Sequence, residues 1–169
     1  RINELVHDLL DYAKPSPLDL RPNNIHKSME DVLDALNAQI IDKKIKVIRD
    51  FNITITDLNF DNKQIKQALL NILLNAVEAS PSNGNILIST QISDNKDAII
   101  VKITDKGYGI SKEDLPNIFD PFFTKKEKGT GLGLSITHGI IKEHGGKIFA
   151  ESSLGQGTTF RIELPIRQS

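Results

Sequence analysis

The sequence predicts a two-layer α/β sandwich with a mixed, mostly antiparallel sheet. Several segments carry apolar residues at helical spacing, and they alternate with shorter segments in which apolar and polar residues alternate as in strands. Some strand segments are joined directly by turn residues as hairpins, whereas others are separated by a helix, and this combination is typical of a sheet covered by helices. The length of 169 residues suits one compact domain with a small appendage.

Proline marks a boundary near the start of the chain. Three of the seven prolines fall within residues 15–22, directly after a helical pattern over residues 1–14 that ends at Pro15. Such a stretch favours a stiff linker between two structural units. The predicted organisation is a terminal helix over residues 1–15, a linker over residues 16–22 and a compact domain over residues 23–169.

Helices and strands are predicted throughout that domain. The helices are expected at about 24–42, at 62–79 behind an Asp61 N-cap, from a Ser111 cap to about Ile118, and from Gly131 to a stop at Gly145-Gly146. The strands are expected at about 46–51, 58–60, 85–92, 98–104, 147–152 and 158–164, with hairpin turns at 94–97 and 154–157.

Composition excludes several classes of function. The formal net charge is −1, so nothing indicates nucleic acid as a partner, and the absence of cysteine excludes disulfides and thiolate metal sites. No apolar run approaches the length of a membrane span, and there is no signal peptide. We therefore expect a cytoplasmic piece without membrane contact. Because the chain begins at Arg1 inside a helical pattern, we expect a longer parent protein, whose anchoring in the inner or cell membrane stays open.

A glycine-rich stretch, Lys128-Gly-Thr-Gly-Leu-Gly-Leu-Ser135, precedes the last predicted helix. Glycine tolerates backbone angles that turn successive N–H groups toward one concave side, and the first turn of a helix adds unpaired N–H donors. Both features favour an anion, and polyphosphate is the commonest anion bound in this way. The alternative is a flexible glycine turn that caps a helix.

Two asparagines, Asn71 and Asn75, lie four residues apart in the helix predicted at 62–79, within a polar stripe that Glu78 continues. Asparagine costs about half a kcal/mol against alanine inside a helix, so two of them invite a functional reason. The amide oxygen of Asn75 suits Mg²⁺, a hard ion that takes oxygen ligands beside phosphates. The alternative is a polar stripe that faces solvent.

Asp105-Lys-Gly-Tyr-Gly109 follows the strand predicted at 98–104. A carboxylate at a strand end can accept a hydrogen bond from an exocyclic amine such as that of adenine, and Gly107 and Gly109 let backbone approach a flat ring closely. The alternative is a plain glycine turn after a hairpin. A second glycine turn, Gly155-Gln-Gly-Thr-Thr-Phe160, places Thr158 where it could line an adenine pocket.

Three of the seven phenylalanines fall in Phe119-Asp-Pro-Phe-Phe-Thr124. A loop seldom carries so much apolar surface unless it is anchored. The run is therefore either a hydrophobic plug that ties the loop to the core or the hinge of a mobile lid, and the two roles are compatible. In a lid, Lys125, Lys126 and Lys128 could reach a γ-phosphate.

Together, five motifs resemble the catalytic ATP-binding domain of bacterial two-component sensor histidine kinases. This domain belongs to the superfamily shared with type II topoisomerases, the heat-shock chaperone of that class and mismatch-repair ATPases. The resemblance covers residues 23–166, and residues 1–15 resemble the end of the second helix of such a kinase's dimerisation hairpin. The motifs are Asn71-x-x-x-Asn75-Ala, Asp105-x-Gly-x-Gly109, Phe119-Asp-Pro-Phe-Phe, Gly129-Thr-Gly-Leu-Gly-Leu134 and Gly155-Gln-Gly-Thr-Thr-Phe160.

The resemblance implies a Bergerat ATP-binding fold that holds ATP and Mg²⁺ between helices and under a lid. It implies that Asn75 binds Mg²⁺, that Asp105 reads adenine and that Asn71 positions the reactants. No residue is assigned as a certain catalytic group, and Lys125 and Lys128 are the lid candidates. The implied base pocket comprises Gly107, Gly109, Ile110 and Thr158. The implied phosphate site comprises Lys128 and the backbone of Gly129, Thr130, Gly131, Leu132 and Gly133, with Asn71 alongside.

Kinases of this family phosphorylate a histidine that precedes an acidic residue, a pattern that His7-Asp8 superficially matches. The family's acceptor motif has a proline shortly after the histidine, where this chain has Tyr12. His7 also lies close to the linker, where the family has the second hairpin helix rather than the first. We therefore expect the acceptor histidine to lie on the parent protein's own dimerisation and phosphoacceptor domain. By the same resemblance the parent is a homodimer, and its partner is the receiver domain of a response regulator.

Two rival functions share the pocket. A stand-alone ATPase or ATP-gated clamp of the superfamily usually has a glutamate, as general base for water, four residues before the metal asparagine. Here that position is Asn71, which cannot take a proton. The hypothesis of a serine kinase of the anti-sigma-factor type is weakened by the phenylalanine-rich run and by the hairpin remnant. The sequence thus favours a histidine kinase.

Overall fold

The computed structural model describes residues 17–55, 57–127 and 129–166. The helix predicted at 1–14, His7 and Lys128 therefore lie outside the described residues. The strands within this part of the chain are β1 Arg21–Asn23, β2 Lys46–Asp50, β3 Leu58–Phe60, β4 Asn85–Ile92, β5 Ala98–Asp105, β6 Lys147–Ser153 and β7 Gly157–Pro165. The helices are α1 Ile25–Ala35, α2 Asn37–Asp42, α3 Asn62–Ala79 and α4 Gly133–Glu143, with one turn of 3₁₀ helix at Leu115–Asn117.

The larger sheet of the described residues has the strand order β2-β4-β5-β7-β6. Strand β2 runs parallel to β4, and the other neighbours are antiparallel, which confirms the predicted mixed, mostly antiparallel sheet. Side chains alternate between the two faces of a strand, so Ile99, Val101 and Ile103 of β5 are all buried on the face that packs on the helices. The same alternation places Asp105, the last residue of β5, on that buried face.

Helix α3 is the centre of the core. Its apolar residues recur every three or four positions and so form one face, as predicted. The Asp61 N-cap is confirmed, because Asp61 Oδ1 accepts a hydrogen bond from the Gln64 N–H at 3.1 Å. The buried residues of the helix are Ile65, Ala68, Leu69, Ile72, Leu73, Ala76 and Val77.

Two elements near the start of the domain differ from the prediction. The helix expected at 24–42 is divided at Leu36 (φ −95°, ψ 3°), whose N–H is shared between Val32 O and Leu33 O at 3.1 Å each. Strand β1 was not predicted. It overlaps the end of the stretch expected to be a linker, and it pairs antiparallel with β3. A three-residue strand that contains Pro22 has too little pattern to be recognised, and proline is tolerated because this strand pairs on one side.

Two later helices also differ. The helix expected from Gly131 begins at Gly133, because Gly131 has φ +71°, which lies outside the helical region. The segment after Ser111 is only one turn of 3₁₀ helix, although the Ser111 hydroxyl accepts the predicted capping bond from the Asp114 N–H at 3.2 Å. No helix in residues 17–55, 57–127 or 129–166 combines the length and the apolar character needed to cross a membrane.

Lys43 fixes the C-terminal end of α3. Its ammonium donates hydrogen bonds to the carbonyl oxygens of Val77, Glu78 and Ser80, at 2.8, 2.9 and 2.8 Å. The last carbonyls of a helix lack partners within the helix and carry the negative end of its dipole, so a cation is well suited to this position. Lys43 therefore links the α1–α2 segment to the end of α3.

Replacing Lys43 with methionine keeps an apolar stem but removes the ammonium that these carbonyls accept from. We expect Lys43→Met to lower the free energy of unfolding by about 1–3 kcal/mol, the range for hydrogen bonds to a charged group. Urea denaturation measures this loss. Lys63→Met, on the exposed side of the first turn of α3, is the matched control and should stay within about 0.5 kcal/mol of the parent chain. Equal losses at the two positions would contradict the capping role.

Candidate nucleotide site

The second half of α3 carries the polar residues that the sequence singled out. Asn71, Asn75 and Glu78 lie three or four residues apart and therefore on one side of the helix, beside its buried face. We call this side, defined by those three residues, the polar edge of α3. Its side chains contact the start of α4 and the segment at 124–129, and the end of the helix contacts the turn after β5. Three separate parts of the predicted site thus meet at one helix.

Asn71 holds the start of α4. Its Nδ2 donates to Gly133 O at 2.9 Å and to Thr137 Oγ1 at 3.3 Å, and the Thr137 hydroxyl donates to the same carbonyl at 2.8 Å. The side chain therefore acts as a donor toward a carbonyl oxygen. A glutamate at this position would place a charged acceptor against the Gly133 carbonyl oxygen, so this contact favours an amide over a carboxylate.

Asn75 and Glu78 share one cationic partner. Lys126 Nζ donates to Asn75 Oδ1 at 2.7 Å and to Glu78 Oε2 at 2.5 Å. The sequence placed the lid lysines near a γ-phosphate, whereas Lys126 here lies on the predicted metal ligand. Glu78 was not among the predicted site residues. The signal that could have identified it is its position three residues after Asn75 in the same polar stripe.

Asp105 is a buried carboxylate at the end of β5, with 3% of its surface exposed. Its Oδ1 accepts a hydrogen bond from the Gly107 N–H at 2.8 Å. Burial raises the pKa of the Asp105 carboxyl, and the N–H groups of Gly107 and Thr158 partly oppose this rise. None of the salt bridges found among the described residues includes Asp105. Such a carboxylate has acceptor capacity for a ligand N–H group.

The turn after Asp105 packs directly on α3. A Cβ atom on Gly107 would lie 2.4 Å from Ala79 O, so only glycine permits this approach. Gly109 has φ +74°, and a Cβ there would lie 2.0 Å from Ser153 O. These two glycines therefore place Asp105, the predicted adenine-binding residue, between the end of α3 and the β6–β7 hairpin.

Ile110 and Thr158 meet through a serine that the sequence analysis missed. Ser152 Oγ accepts a hydrogen bond from the Ile110 N–H at 2.8 Å and lies 2.9 Å from Thr158 Oγ1. Ser152 faces Thr158 across the β6–β7 pair. The predicted hairpin turn at 154–157 fixes that register, so the turn was the signal that could have identified Ser152.

The glycine-rich stretch leads into the N-terminal turn of α4. Gly131 needs glycine twice, because its φ is +71° and a Cβ would lie 2.4 Å from the carbonyl carbon of Phe122. Leu132 is fully buried, and its N–H donates to Thr130 Oγ1 at 3.3 Å. The N-cap position, Leu132, makes no side-chain capping bond. The first N–H groups of α4 thus begin directly beside Asn71 and can face an anion.

The phenylalanine-rich loop is anchored at two of its three aromatic rings. Phe119 and Phe123 pack on the core, and the Phe119 ring meets that of Phe160 edge to face at 6.4 Å. Phe122 is instead 61% exposed, with φ +67°, so it does not fix the base of the segment that follows. The first of the predicted lid lysines, Lys125, is paired with Asp114 at 2.5 Å. This hydrogen bond, with one from Ser111, keeps the pKa of Asp114 below its usual value.

A separate groove of about 590 Å³ lies on the other face of the sheet. Lys102, Arg161 and Glu163 are among the residues that line it, and they alternate along β5 and β7 with the buried side chains. Asp105 points to the opposite face, so this groove is distinct from the predicted nucleotide site.

Comparisons with known proteins agree with this arrangement. A family model described as histidine kinase-, DNA gyrase B-, and HSP90-like ATPase matches residues 60–168. Sporulation kinase E of Bacillus subtilis (strain 168) is 37% identical over all of this chain, which spans 23% of that protein's length. This relative is therefore much longer than the chain.

Solved structures give the same result. The catalytic domain of histidine kinase ThkA superposes with a TM-score of 0.77 at 34% identity, covering 88% of this chain and 96% of that one. The structure of ThkA in complex with response regulator protein TrrA gives a TM-score of 0.83 at 31% identity, covering 99% of this chain and 48% of that one.

These matches confirm the resemblance drawn from the five motifs. The family model covers more than half of the chain, and the fold agrees with that of a catalytic domain that the chain covers almost completely. The chain therefore belongs to the histidine kinase-, DNA gyrase B-, and HSP90-like ATPase family, as the ATP-binding catalytic domain of a sensor histidine kinase.

Proposed function

We propose that this chain binds Mg-ATP along the polar edge of α3 and donates the γ-phosphoryl group to a histidine on the parent protein's dimerisation domain. One observation carries the proposal: a buried carboxylate, an amide oxygen that already attracts a cation, and a helix N-terminus all border the same half of α3. These are the three chemical features that an adenine, a metal ion and a polyphosphate need.

The base end of the nucleotide is assigned to Asp105. Its carboxylate would accept a hydrogen bond from the adenine amino group, and the N–H of Gly107 would keep the carboxylate oriented. Gly109, Ile110 and Thr158 would line the remaining wall, supported by Ser152. Guanine carries a carbonyl oxygen where adenine carries its amine, so the same carboxylate would reject guanine.

The phosphate end is assigned to the backbone of residues 129–133, the first turn of α4 and Asn75. The amide oxygen of Asn75 fits Mg²⁺, and its contact with the Lys126 ammonium supports this position as one that favours positive charge. When bound, Mg²⁺ would neutralise the charge on the phosphate oxygens. Asn71 would position these groups by fixing the start of α4, and Lys128 would join them from the lid.

The transfer step needs no protein nucleophile in this chain. An unprotonated ring nitrogen of the acceptor histidine attacks the γ-phosphorus, a nitrogen–phosphorus bond forms, and the bond to the bridging β–γ oxygen breaks. ADP leaves with the bonding electrons, and the phosphorylated ring releases a proton to water. Catalysis in this scheme consists of positioning and charge neutralisation. The complex of the related kinase ThkA with a response regulator supports a receiver domain as the next acceptor.

ATP hydrolysis is the rival function, and the contacts of Asn71 disfavour it. A hydrolase needs a base that orients water, whereas the Asn71 amide donates to Gly133 O and cannot take a proton. The homodimeric state of the parent protein stays part of this proposal. No contact among the described residues favours the serine kinase alternative.

Nucleotide binding should stabilise the fold and depend on Mg²⁺. At about a hundred times the dissociation constant, a ligand adds roughly 2.7 kcal/mol, which corresponds to a rise in melting temperature of about 5–10 °C for a domain of this size. Thermal melts with ATP or ADP, with Mg²⁺ or with EDTA, measure the shift. The control is GTP at the same concentration. No shift at millimolar Mg-ATP would contradict the proposed site.

Asp105→Asn should separate stability from binding. Because its pKa is raised, the Asp105 carboxyl loses its proton less readily in the folded chain than in the unfolded chain. The stability that this group contributes is therefore fully present below its unfolded-state pKa and is lost as the pH rises through its folded-state pKa, so at neutral pH its charge costs stability. We expect Asp105→Asn to match or exceed the parent chain in stability without nucleotide at neutral pH, because the amide removes the buried charge while its oxygen can still accept from the Gly107 N–H. The difference should be smaller in mild acid, where more of the Asp105 carboxyl is protonated.

The same substitution should weaken adenine nucleotides by about 1–3 kcal/mol, because the amide can present its NH₂ where an acceptor is needed. Isothermal titration of ADP into both chains measures the loss, and GDP is the control for base discrimination. Equal affinity of the parent chain for ADP and GDP would mean that Asp105 does not read adenine.

Phosphoryl transfer should require a domain beyond this chain. Incubated with labelled ATP, the chain alone should remain unlabelled and release phosphate slowly, because no acceptor histidine and no general base have been assigned to it. Addition of the parent protein's dimerisation hairpin should give an acid-labile label on that hairpin. Two results would contradict this scheme: rapid labelling of the chain alone at His7, and fast phosphate release that Asn71→Ala abolishes.

A further inference from the structure

The polar edge of α3 and the segment at 124–129 meet at a single cation position. Lys126 Nζ lies 2.7 Å from Asn75 Oδ1 and 2.5 Å from Glu78 Oε2. The Lys126 and Glu78 side chains are 38% and 47% exposed, so water and ions can reach this position. Two oxygen atoms from successive turns of one helix therefore converge on one positive charge. This is the geometry of a cation-binding site.

We propose that this position is a cation site used in turn by the Lys126 ammonium and by nucleotide-associated Mg²⁺, and that Glu78 holds the metal ion together with Asn75. The inference rests on the proposed function, which brings Mg²⁺ to the site with the nucleotide. It assigns a role to Glu78 and to the contact between the lid segment and α3.

Glu78 offers a metal ion a negative charge, which the neutral amide of Asn75 cannot supply. Mg²⁺ is usually held by one or two carboxylates together with substrate phosphates, and a neutral amide supplies an oxygen atom without charge. Glu78 follows Asn75 by three residues and so lies on the same side of α3. Within residues 17–55, 57–127 and 129–166 there is no group of three His, Cys, Asp or Glu side chains that could hold a metal elsewhere.

The two cations exclude each other. A bound Mg²⁺ takes oxygen ligands at about 2.0–2.1 Å and would use the same Asn75 and Glu78 oxygen atoms that accept from Lys126. An ammonium that stayed within hydrogen-bond distance of those atoms would repel the ion strongly. Metal binding must therefore displace Lys126 from α3.

Displacement of Lys126 would change how the segment at 124–129, the predicted lid, is held. Within this segment the Lys126 N–H donates to Thr124 Oγ1 at 3.1 Å and Gly129 N–H donates to Lys126 O at 3.2 Å. Lys125 is tied to Asp114 on the other side. The Lys126 side chain is thus the described contact between this segment and the polar edge, and metal entry would release it.

The test compares how strongly Mg²⁺ and ADP help each other bind. We define the metal coupling ratio as the dissociation constant of ADP in EDTA divided by that in Mg²⁺, both by isothermal titration. ADP is used so that contacts with a γ-phosphate do not contribute. The variants are Lys126→Gln and Glu78→Gln. The controls are Lys96→Gln, which makes the same charge change as Lys126→Gln in the exposed turn between β4 and β5, and Glu151→Gln, which makes the same charge change as Glu78→Gln on the outer face of the sheet.

The two variants should move the ratio in opposite directions. Lys126→Gln removes the competing cation and should raise the ratio about twofold to fivefold, the range for a partly exposed ion pair. Glu78→Gln removes a metal partner and should lower the ratio about tenfold. In the double variant the gain from Lys126→Gln should shrink, because Glu78 also holds the lysine in place. Both controls should stay near the parent ratio.

Each contrary outcome identifies what is wrong. A rise in both variants would mean that Glu78 only holds the lysine and does not hold metal, which overturns its assignment. A ratio for Lys126→Gln no different from that for Lys96→Gln would overturn the exchange of cations. Both outcomes would leave the proposed function intact if the parent chain binds ADP with help from Mg²⁺. A parent chain that does not bind ADP would overturn the proposed function and this inference together.

Discussion

The 3.6-residue period of helix α3 is the constraint on which both the core and the site depend. One face of the helix carries Ile65, Leu69, Ile72 and Ala76 into the core, so its rotation about its own axis is fixed by apolar burial. The polar edge lies beside that face and therefore cannot turn independently of it. Each polar residue of the edge is thus held in place by the packing of its neighbours along the helix, and the site inherits the rigidity of the core.

Three segments that are distant in sequence use this rigid helix as a common reference. The start of α4 is bonded to Asn71, the segment at 124–129 is bonded to Asn75 and Glu78, and the turn after β5 packs on Ala79. Their mutual positions are set by where each meets the same helix. In the proposed site a helix would therefore supply the metal ligand and the positioning residue, while loops would supply the phosphate and base contacts.

The fold was largely predictable because its signals are local. The Asp61 N-cap and the period-2 pattern of β5 depend on neighbouring residues, and both are confirmed. The break at Leu36 and the pairing of β1 with β3 were missed because they are decided by contacts made at a distance along the chain. The helix start at Gly133 was missed by two residues because the position of Gly131 is decided by Phe122, with which it is packed.

The site shows the same division between residue identity and residue partners. Motif patterns identified Asn71, Asn75 and Asp105, and their roles toward a nucleotide stay predictions. The partners of these side chains could not be read from the sequence. Lys125 and Lys126 are adjacent and chemically identical, yet one pairs with Asp114 and the other with the polar edge. That difference depends on the path of the loop, which no local pattern specifies.

The two ends of the site differ in electrostatic state before any nucleotide arrives. At the proposed base end, the Asp105 carboxylate is buried, burial raises its pKa, and none of the described salt bridges includes it. At the phosphate end, the oxygen atoms of Asn75 and Glu78 are already occupied by the Lys126 ammonium. In the proposed scheme a metal ion must therefore displace a protein cation, whereas no described ion pair has to break at Asp105. In that scheme metal binding is the step that would release the predicted lid from α3, because the contact that must break is the one made by Lys126.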